Sequence, residues 1–291
     1  MDSIKDGKKY IVWGLLPSLL FYIPFVIFPI FRSFVFSFYQ WNGLSAPVFL
    51  GFDNFKKLFS DLIFWKSLGN NMLVLLFSLL GQIPLGILAA VVLDGKIRGA
   101  GFYRTSFFIP MILSTVVVGL LWSTILNSQV GIIRTVYTML GIADMPDWLG
   151  DTRIAIYTLC VVILWQCVGL YMIIFLAALQ NISKELIEAA DIDGASEFVK
   201  LVKIRLPLLR SSIAASAILC ISGSMRTFDL IYTMTQGGPA HATEVMATYM
   251  YNKTFTVYQY GYGSAVSLAI CVISLILILT SRVFLLRKKE A

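Results

Sequence analysis

Six apolar runs, each about 20 residues or longer and almost free of charge, leave this chain very few possible folds. They are Ile11–Phe38, Met72–Leu93, Phe107–Leu126, Ile154–Leu179, Leu206–Met225 (extending towards Tyr232) and Ser264–Leu286. A bilayer core about 30 Å thick is crossed by about 20 helical residues. No water is available there, so backbone N–H and C=O groups must be satisfied within the protein, which runs of this length do as helices. The chain is 58% hydrophobic and only 13% charged, with a mean hydropathy of +0.82. Soluble domains carry about a quarter charged residues. The expected fold is all-α: one polytopic membrane domain over residues 1–291, with about six transmembrane helices. The first run is too long for a cleaved signal peptide and is interrupted by Pro17, Pro24 and Pro29, so it is expected to remain as a spanning helix.

A formal charge of +7 raises the question of nucleic acid, and its distribution answers it. Lys5, Lys8, Lys9, Lys96, Arg98, Arg104, Lys184, Lys200, Lys203, Arg205, Arg210, Arg282, Arg287, Lys288 and Lys289 flank the runs on one face of the membrane. Lys56, Lys57, Lys66, Arg134, Arg153 and Lys253 lie on the other, about fifteen against six, which places both termini in the cytoplasm. No basic stripe with interleaved stacking aromatics is present, so no nucleic-acid partner is expected. Cys160, Cys167, Cys220 and Cys271 all fall in predicted spans without ligand spacing, and read as packing residues rather than disulfides or a metal cluster. The single histidine, His241, sits in an external segment with no carboxylate–histidine constellation, so neither catalytic nor metal-binding residues are expected.

Between the spans, Tyr39–Asn71 is expected to carry an interfacial helix near Asn54–Phe59, with Trp41 and Trp65 at headgroup depth. The segment Thr235–Gly263 has room for a surface helix at Ala242–Tyr251. Pro84 and Pro110 predict kinks or early helix breaks. The small residues of Leu206–Met225, among them Ala214, Ala215, Ser216, Ala217 and Gly223, suit a helix inside a bundle or at a subunit interface.

Residues 182–207 form a charged cytoplasmic loop with helix-length pieces on either side of Gly194. Ser183 is placed to cap the first piece, and Glu185 complements its positive end. Ile182, Leu186, Ile187 and Ala190 make an apolar side. Gly194 suits a left-handed terminator. Ser196 is placed to cap a second helix, Glu197–Lys203, with Phe198, Leu201 and Val202 facing inward. Pro207 suits the first turn of the next membrane helix. Two readings stand: an amphipathic helix resting on the bilayer, or, given small Ala189 and Ala190 beside Glu188, insertion into a groove on another protein.

Glu188-Ala189-Ala190, then Gly194, then Ile204-Arg205-Leu206-Pro207 resembles, in residues and spacing, the EAA loop of permease subunits in bacterial ATP-binding-cassette importers. Asp193-Gly194-Ala195 resembles the carbohydrate branch. So do Phe228-Asp229-Leu230-Ile231-Tyr232, Met234-Thr235-Gln236-Gly237-Gly238-Pro239 with Thr243, Gly51-Phe52-Asp53-Asn54-Phe55, Arg104-Thr105 with Pro110, and Gly261-Tyr262-Gly263-Ser264-Ala265. The resemblance implies the type I importer (MetI-like) transmembrane fold in a bacterial cell membrane. It assigns Glu188, Ala189, Ala190, Asp193, Gly194, Ile204, Leu206 and Pro207 to a coupling helix docking on a cytosolic ATPase dimer. It further implies a second permease subunit forming a heterodimer, an extracytoplasmic solute-binding protein, and a sugar, oligosaccharide or polyol/glycerol-phosphate substrate. The chain has no glycine-rich phosphate loop with its Lys-Ser/Thr. ATP and Mg would therefore be bound by the partner ATPase, and no cofactor is expected here.

Polar groups within spans are costly and point to function. Gln82, Gln166, Tyr171, Arg226, Asp229 and Tyr232 are the candidates for a substrate path. Arg226 and Asp229, three apart, can equally pair on one helix face, and Gln166 can equally join neighbouring helices. The competing functions are an ion-coupled secondary transporter, which would show matching halves or acids at mid-membrane, and an importer permease for a non-sugar solute.

Overall fold

A computed structural model describes residues 14–95, 98–142 and 144–286. Lys5, Lys8, Lys9, Lys96, Arg287, Lys288, Lys289 and the first residues of the Ile11–Phe38 run lie outside the described residues. The regular structure among the described residues is helical apart from one hairpin. Its helices are α1 (Gly14–Phe36), α2 (Asp53–Ser60), α3 (Leu62–Asp94), α4 (Ala100–Ile112), α5 (Thr115–Ile125), α6 (Ile132–Met139), α7 (Ala155–Gln180), α8 (Lys184–Ile192), α9 (Glu197–Leu208), α10 (Arg210–Met225), α11 (Asp229–Met234), α12 (Met246–Tyr251) and α13 (Tyr260–Leu286). Four of them, α1, α3, α7 and α13, are long and apolar enough to cross a membrane. Two bent pairs, α4 with α5 at 96° and α9 with α10 at 69°, pass the same test together and give up to six candidate spans when each pair is counted as one.

Proline shapes these helices differently from a simple kink. A proline removes one N–H and crowds the carbonyl four residues back. Wide π-turns at Ile23–Ile27, Ser78–Gln82 and Leu201–Arg205 each end two residues before a proline, at Pro29, Pro84 and Pro207. The widened turn makes room for the ring, so α3 runs unbroken through Pro84. It also begins ten residues before the apolar run, at Leu62. Pro110 lies inside α4, and the chain turns only at Leu113 and Ser114, which adopt extended backbone.

The chain divides into two compact units, residues 1–61 with 250–271 and residues 62–249 with 272–291. In the first, β1 (Tyr39–Gln40) pairs antiparallel with β2 (Val48–Phe49), Tyr39 opposite Phe49. The buried Asn54 of α2 donates from Nδ2 to the carbonyls of Ser37 and Tyr39, both at 2.9 Å. Tyr262 donates its hydroxyl to Asp61 Oδ2 at 2.7 Å. A Cβ on Gly261 would lie 1.8 Å from the Tyr39 carbonyl oxygen, so this approach requires glycine. The Gly51–Phe55 and Gly261–Gly263 motifs thus meet as one structural knot.

The second unit buries apolar faces of α3, α7 and α10 together. Ile83, Ile87 and Ala90 pack with Met172, Phe175 and Leu176 and with Ala217, Cys220 and Ile221. The small-residue helix α10 therefore lies in a bundle on one face, as its composition requires. All four cysteines are free.

The segment after α11 differs from expectation. A surface helix over Ala242–Tyr251 is replaced by an ordered loop to Val245 and the helix α12, whose Met246 and Tyr249 are buried. The loop is held by side chains of α3. Asn70 Nδ2 donates to the carbonyls of Ala242 and Glu244 at 3.0 and 2.7 Å, and Lys66 Nζ to that of Ala240 at 3.1 Å. Asn71, fully buried, accepts from Met246 N–H at 2.8 Å and donates to the Ser224 carbonyl at 2.7 Å. These anchors consume the backbone groups a helix would otherwise have used.

Candidate functional site

The loop joining α7 to α10 folds as a bent elbow. Ser183 takes the extended cap position before α8, but its hydroxyl donates to Glu185 Oε2 at 3.5 Å instead of capping the backbone. At the other end Gly194 has φ +73°. Its N–H donates to the Asp191 carbonyl at 3.1 Å, and that of Ala195 to the Ala190 carbonyl at 2.9 Å. This pair of bonds is a Schellman closure, which satisfies carbonyls the helix end would leave open. Asp193 is the residue that ends α8. Ser196 then caps α9, its Oγ accepting from Val199 N–H at 3.4 Å.

Burial sorts the elbow into an inner and an outer side. Ala190 is buried, Ile204 and Leu206 are half-buried, and Glu188, Ala189, Asp193, Gly194 and Pro207 are exposed. Leu186, Ile192 and Phe198 present large apolar side chains outward, Ile192 at 87% and Phe198 at 73% exposure. The inward orientation expected for Phe198 and Val202 is therefore wrong. Lys200 occupies the inner position instead, 5% exposed, with its ammonium 2.5 Å from Asp191 Oδ1 and also paired with Glu197. The hydrogen bond to Asp191, then that to Glu197, holds this lysine above its ordinary pKa. Glu197 also faces Arg205 Nη1 at 3.7 Å. A cleft of about 550 Å³ opens beside α8, lined by Asp94, Leu179, Ile187, Glu188 and Arg205 among others.

Pro207 does not begin the next membrane helix. It lies near the end of α9, and the chain bends at Leu209, which is almost wholly buried. The π-turn before Pro207 carries the helix past it, and the break follows two residues later. Lys200 and Leu209 were not singled out by sequence. A lysine spaced nine residues after an aspartate across a glycine turn was the available signal.

The expected substrate-path residues do not gather at one point, although Gln82 and Tyr171 share Cys220 as a neighbour. Tyr171 is buried and its hydroxyl meets Cys220 Sγ at 3.1 Å, with Gln82 Oε1 3.7 Å from the same sulfur. Gln166, also buried, donates to Thr115 Oγ1 at 3.5 Å and so joins α7 to α5. Arg226 and Asp229 do not share a helix: α10 ends at Met225, Arg226 caps it and Asp229 starts α11. Both are exposed, and no ion pair joins them among the described residues. Tyr232 is 37% exposed and stacks on Phe228 at 5.0 Å.

Comparison with known proteins gives a consistent picture. A family model described as binding-protein-dependent transport system inner membrane component matches residues 82–289. The multiple sugar-binding transport system permease protein MsmF of Streptococcus mutans is 35% identical, over 94% of each chain. The diacetylchitobiose uptake system permease protein NgcF of Streptomyces coelicolor is 33% identical, over 89% of this chain and 77% of NgcF. Among solved structures, a bacterial alginate ABC transporter, in complex with an alginate pentasaccharide-bound periplasmic protein, contains a chain of the same fold. It matches with a TM-score of 0.85 at 23% identity, over 99% of this chain and 98% of that one.

Proposed function

Because the chain belongs to the binding-protein-dependent transport system inner membrane components, a family of multi-pass permease subunits, we propose that it carries a sugar or oligosaccharide inward and couples to a separate ATPase. It acts as one permease domain over residues 1–291, with both termini in the cytoplasm. The related permeases named for multiple sugars and diacetylchitobiose support the carbohydrate assignment.

The single observation that carries the coupling role is the outward face of the elbow. Exposed Leu186 and Ile192 lie one turn either side of the small, exposed Ala189 on α8, and Phe198 of α9 is exposed as well. Large apolar groups around an alanine suit a close protein contact more than bulk water. The partner is a cytosolic ATPase dimer, which binds ATP and Mg. A second permease completes the path. The face of α10 turned out of the bundle bears Ser211, Ala215, Leu219 and Gly223 at four-residue spacing, and the three small residues permit close helix approach. An extracytoplasmic solute-binding protein delivers the sugar.

Transport in proteoliposomes tests this reading. Vesicles holding the chain with its sister permease and ATPase are expected to take up labelled oligosaccharide only with ATP inside the nucleotide-facing compartment and binding protein on the other side. Uptake driven by a proton or sodium gradient without ATP would contradict it.

A further inference from the structure

The elbow contains two joints where its backbone departs from a regular α-helix. One is the left-handed turn at Gly194, and the other is the π-turn Leu201–Arg205. Each is spanned by an ionic link. Lys200 reaches from α9 back to Asp191 on α8, across the Gly194 turn, at 2.5 Å. Arg205 reaches back to Glu197, across the π-turn, at 3.7 Å. Lys200 also pairs with Glu197, which joins the two links into one chain: Asp191, Lys200, Glu197, Arg205. Arg205 immediately precedes Leu206, three residues before the bend at Leu209.

Burial separates this arrangement from ordinary surface ion pairs, which contribute little. The side chain of Lys200 is 6% exposed and that of Arg205 13%, while Asp191 and Glu197 are 54% and 72% exposed. Two cations are drawn under the elbow, and their carboxylates close over them from the water side. Moving a buried cation away from its carboxylates leaves its charge uncompensated, so the links oppose bending at both joints.

Resting on the coupling role proposed above, we infer that Lys200 is a positioning residue that locks α8 and α9 into one rigid lever. Force applied to the Ala189 face of α8 then arrives at Leu209 and α10 without being lost at either joint. Lys200 does not itself meet the ATPase. It acts through Asp191 and Glu197 to fix the angle at which Ala189 is presented.

The test compares Lys200→Met, Lys200→Arg and the exposed-side variant Asp191→Asn in the reconstituted importer. ATPase co-purification and sugar transported per ATP hydrolysed are measured for each. Lys200→Met and Asp191→Asn are expected to retain the ATPase while transport per ATP falls at least ~5-fold, the scale of a coupling free energy of about 1 kcal/mol. Lys200→Arg, which keeps the charge and both links, is expected to stay within about twofold of the parent. Asp191→Asn guards against misfolding of the lysine variant, since its side chain is largely in water. Unchanged transport per ATP in Lys200→Met would overturn the lever, and so would loss of ATPase binding in both variants, which would make these residues docking groups. A parent complex that holds no ATPase at all would instead overturn the coupling role on which the lever rests.

Discussion

Replacing Gly194 with proline is expected to abolish transport and ATPase association while leaving membrane insertion intact. Gly194 sits at φ +73°, and proline is confined to about −65°. The ring also removes the N–H that donates to the Asp191 carbonyl, so the closure of α8 fails in both geometry and hydrogen bonding. The links across the joint from Lys200 to Asp191 cannot then keep their registration. Gly194→Ala is the informative companion. No atom lies within 4 Å of its would-be Cβ, so alanine meets only the backbone penalty of a left-handed conformation, about 1–2 kcal/mol. It is expected to keep most activity. Immunodetection in membranes, co-purification and uptake separate the outcomes, and normal uptake by the proline variant would count against the elbow as the coupling element.

The second large effect is expected at Asn71. This residue has no exposure and bridges Met246 N–H and the Ser224 carbonyl. Asn71→Leu leaves the Met246 N–H unpaired in the interior, at about 1–3 kcal/mol, and leaves the Ser224 carbonyl only the long bond from Thr227 N–H at 3.4 Å. Purified protein is expected to unfold about 5–10 °C lower, with the α12 segment losing protection first in hydrogen exchange. Lys66→Met, which removes only the exposed contact to Ala240, is expected to shift the midpoint by less than about 2 °C. Equal shifts for the two variants would show that the loop is held by something other than Asn71.

Much of the fold was legible because bilayer thickness converts directly into run length. The six apolar runs correspond to four long helices and two bent pairs. The positions of the bends were less legible. Proline marked the neighbourhood of each, yet π-turns let the helix pass Pro84 and Pro207, and the chain turned instead at Leu113–Ser114 and Leu209. Those points depend on packing, which one sequence does not display.

The elbow shows the same division. Gly194 and Ser196 announced their roles because capping chemistry is local. Helix rotation is not local, so Phe198 and Val202 were expected inside where Lys200 proved to be. An isolated buried lysine is costly, and its compensation comes from Asp191, nine residues away. The path residues show a related division. Intramembrane polarity suggested a role in transport for Gln82 and Tyr171, but within one bundle they meet at Cys220. The outer motifs around Asn54 and Pro239 were recognisable, while the asparagines that anchor the second of them, Asn70 and Asn71, looked like the end of a loop.

Photo-crosslinking from position 189 in intact membranes tests the central claim most directly. A reactive group replacing Ala189 is expected to form an adduct with the cytosolic ATP-hydrolysing subunit, whereas one at Phe59 of α2, which the charge distribution assigns to the external side, is expected to form none. Adducts at position 189 with lipid alone would place the elbow on the bilayer surface and contradict the coupling account.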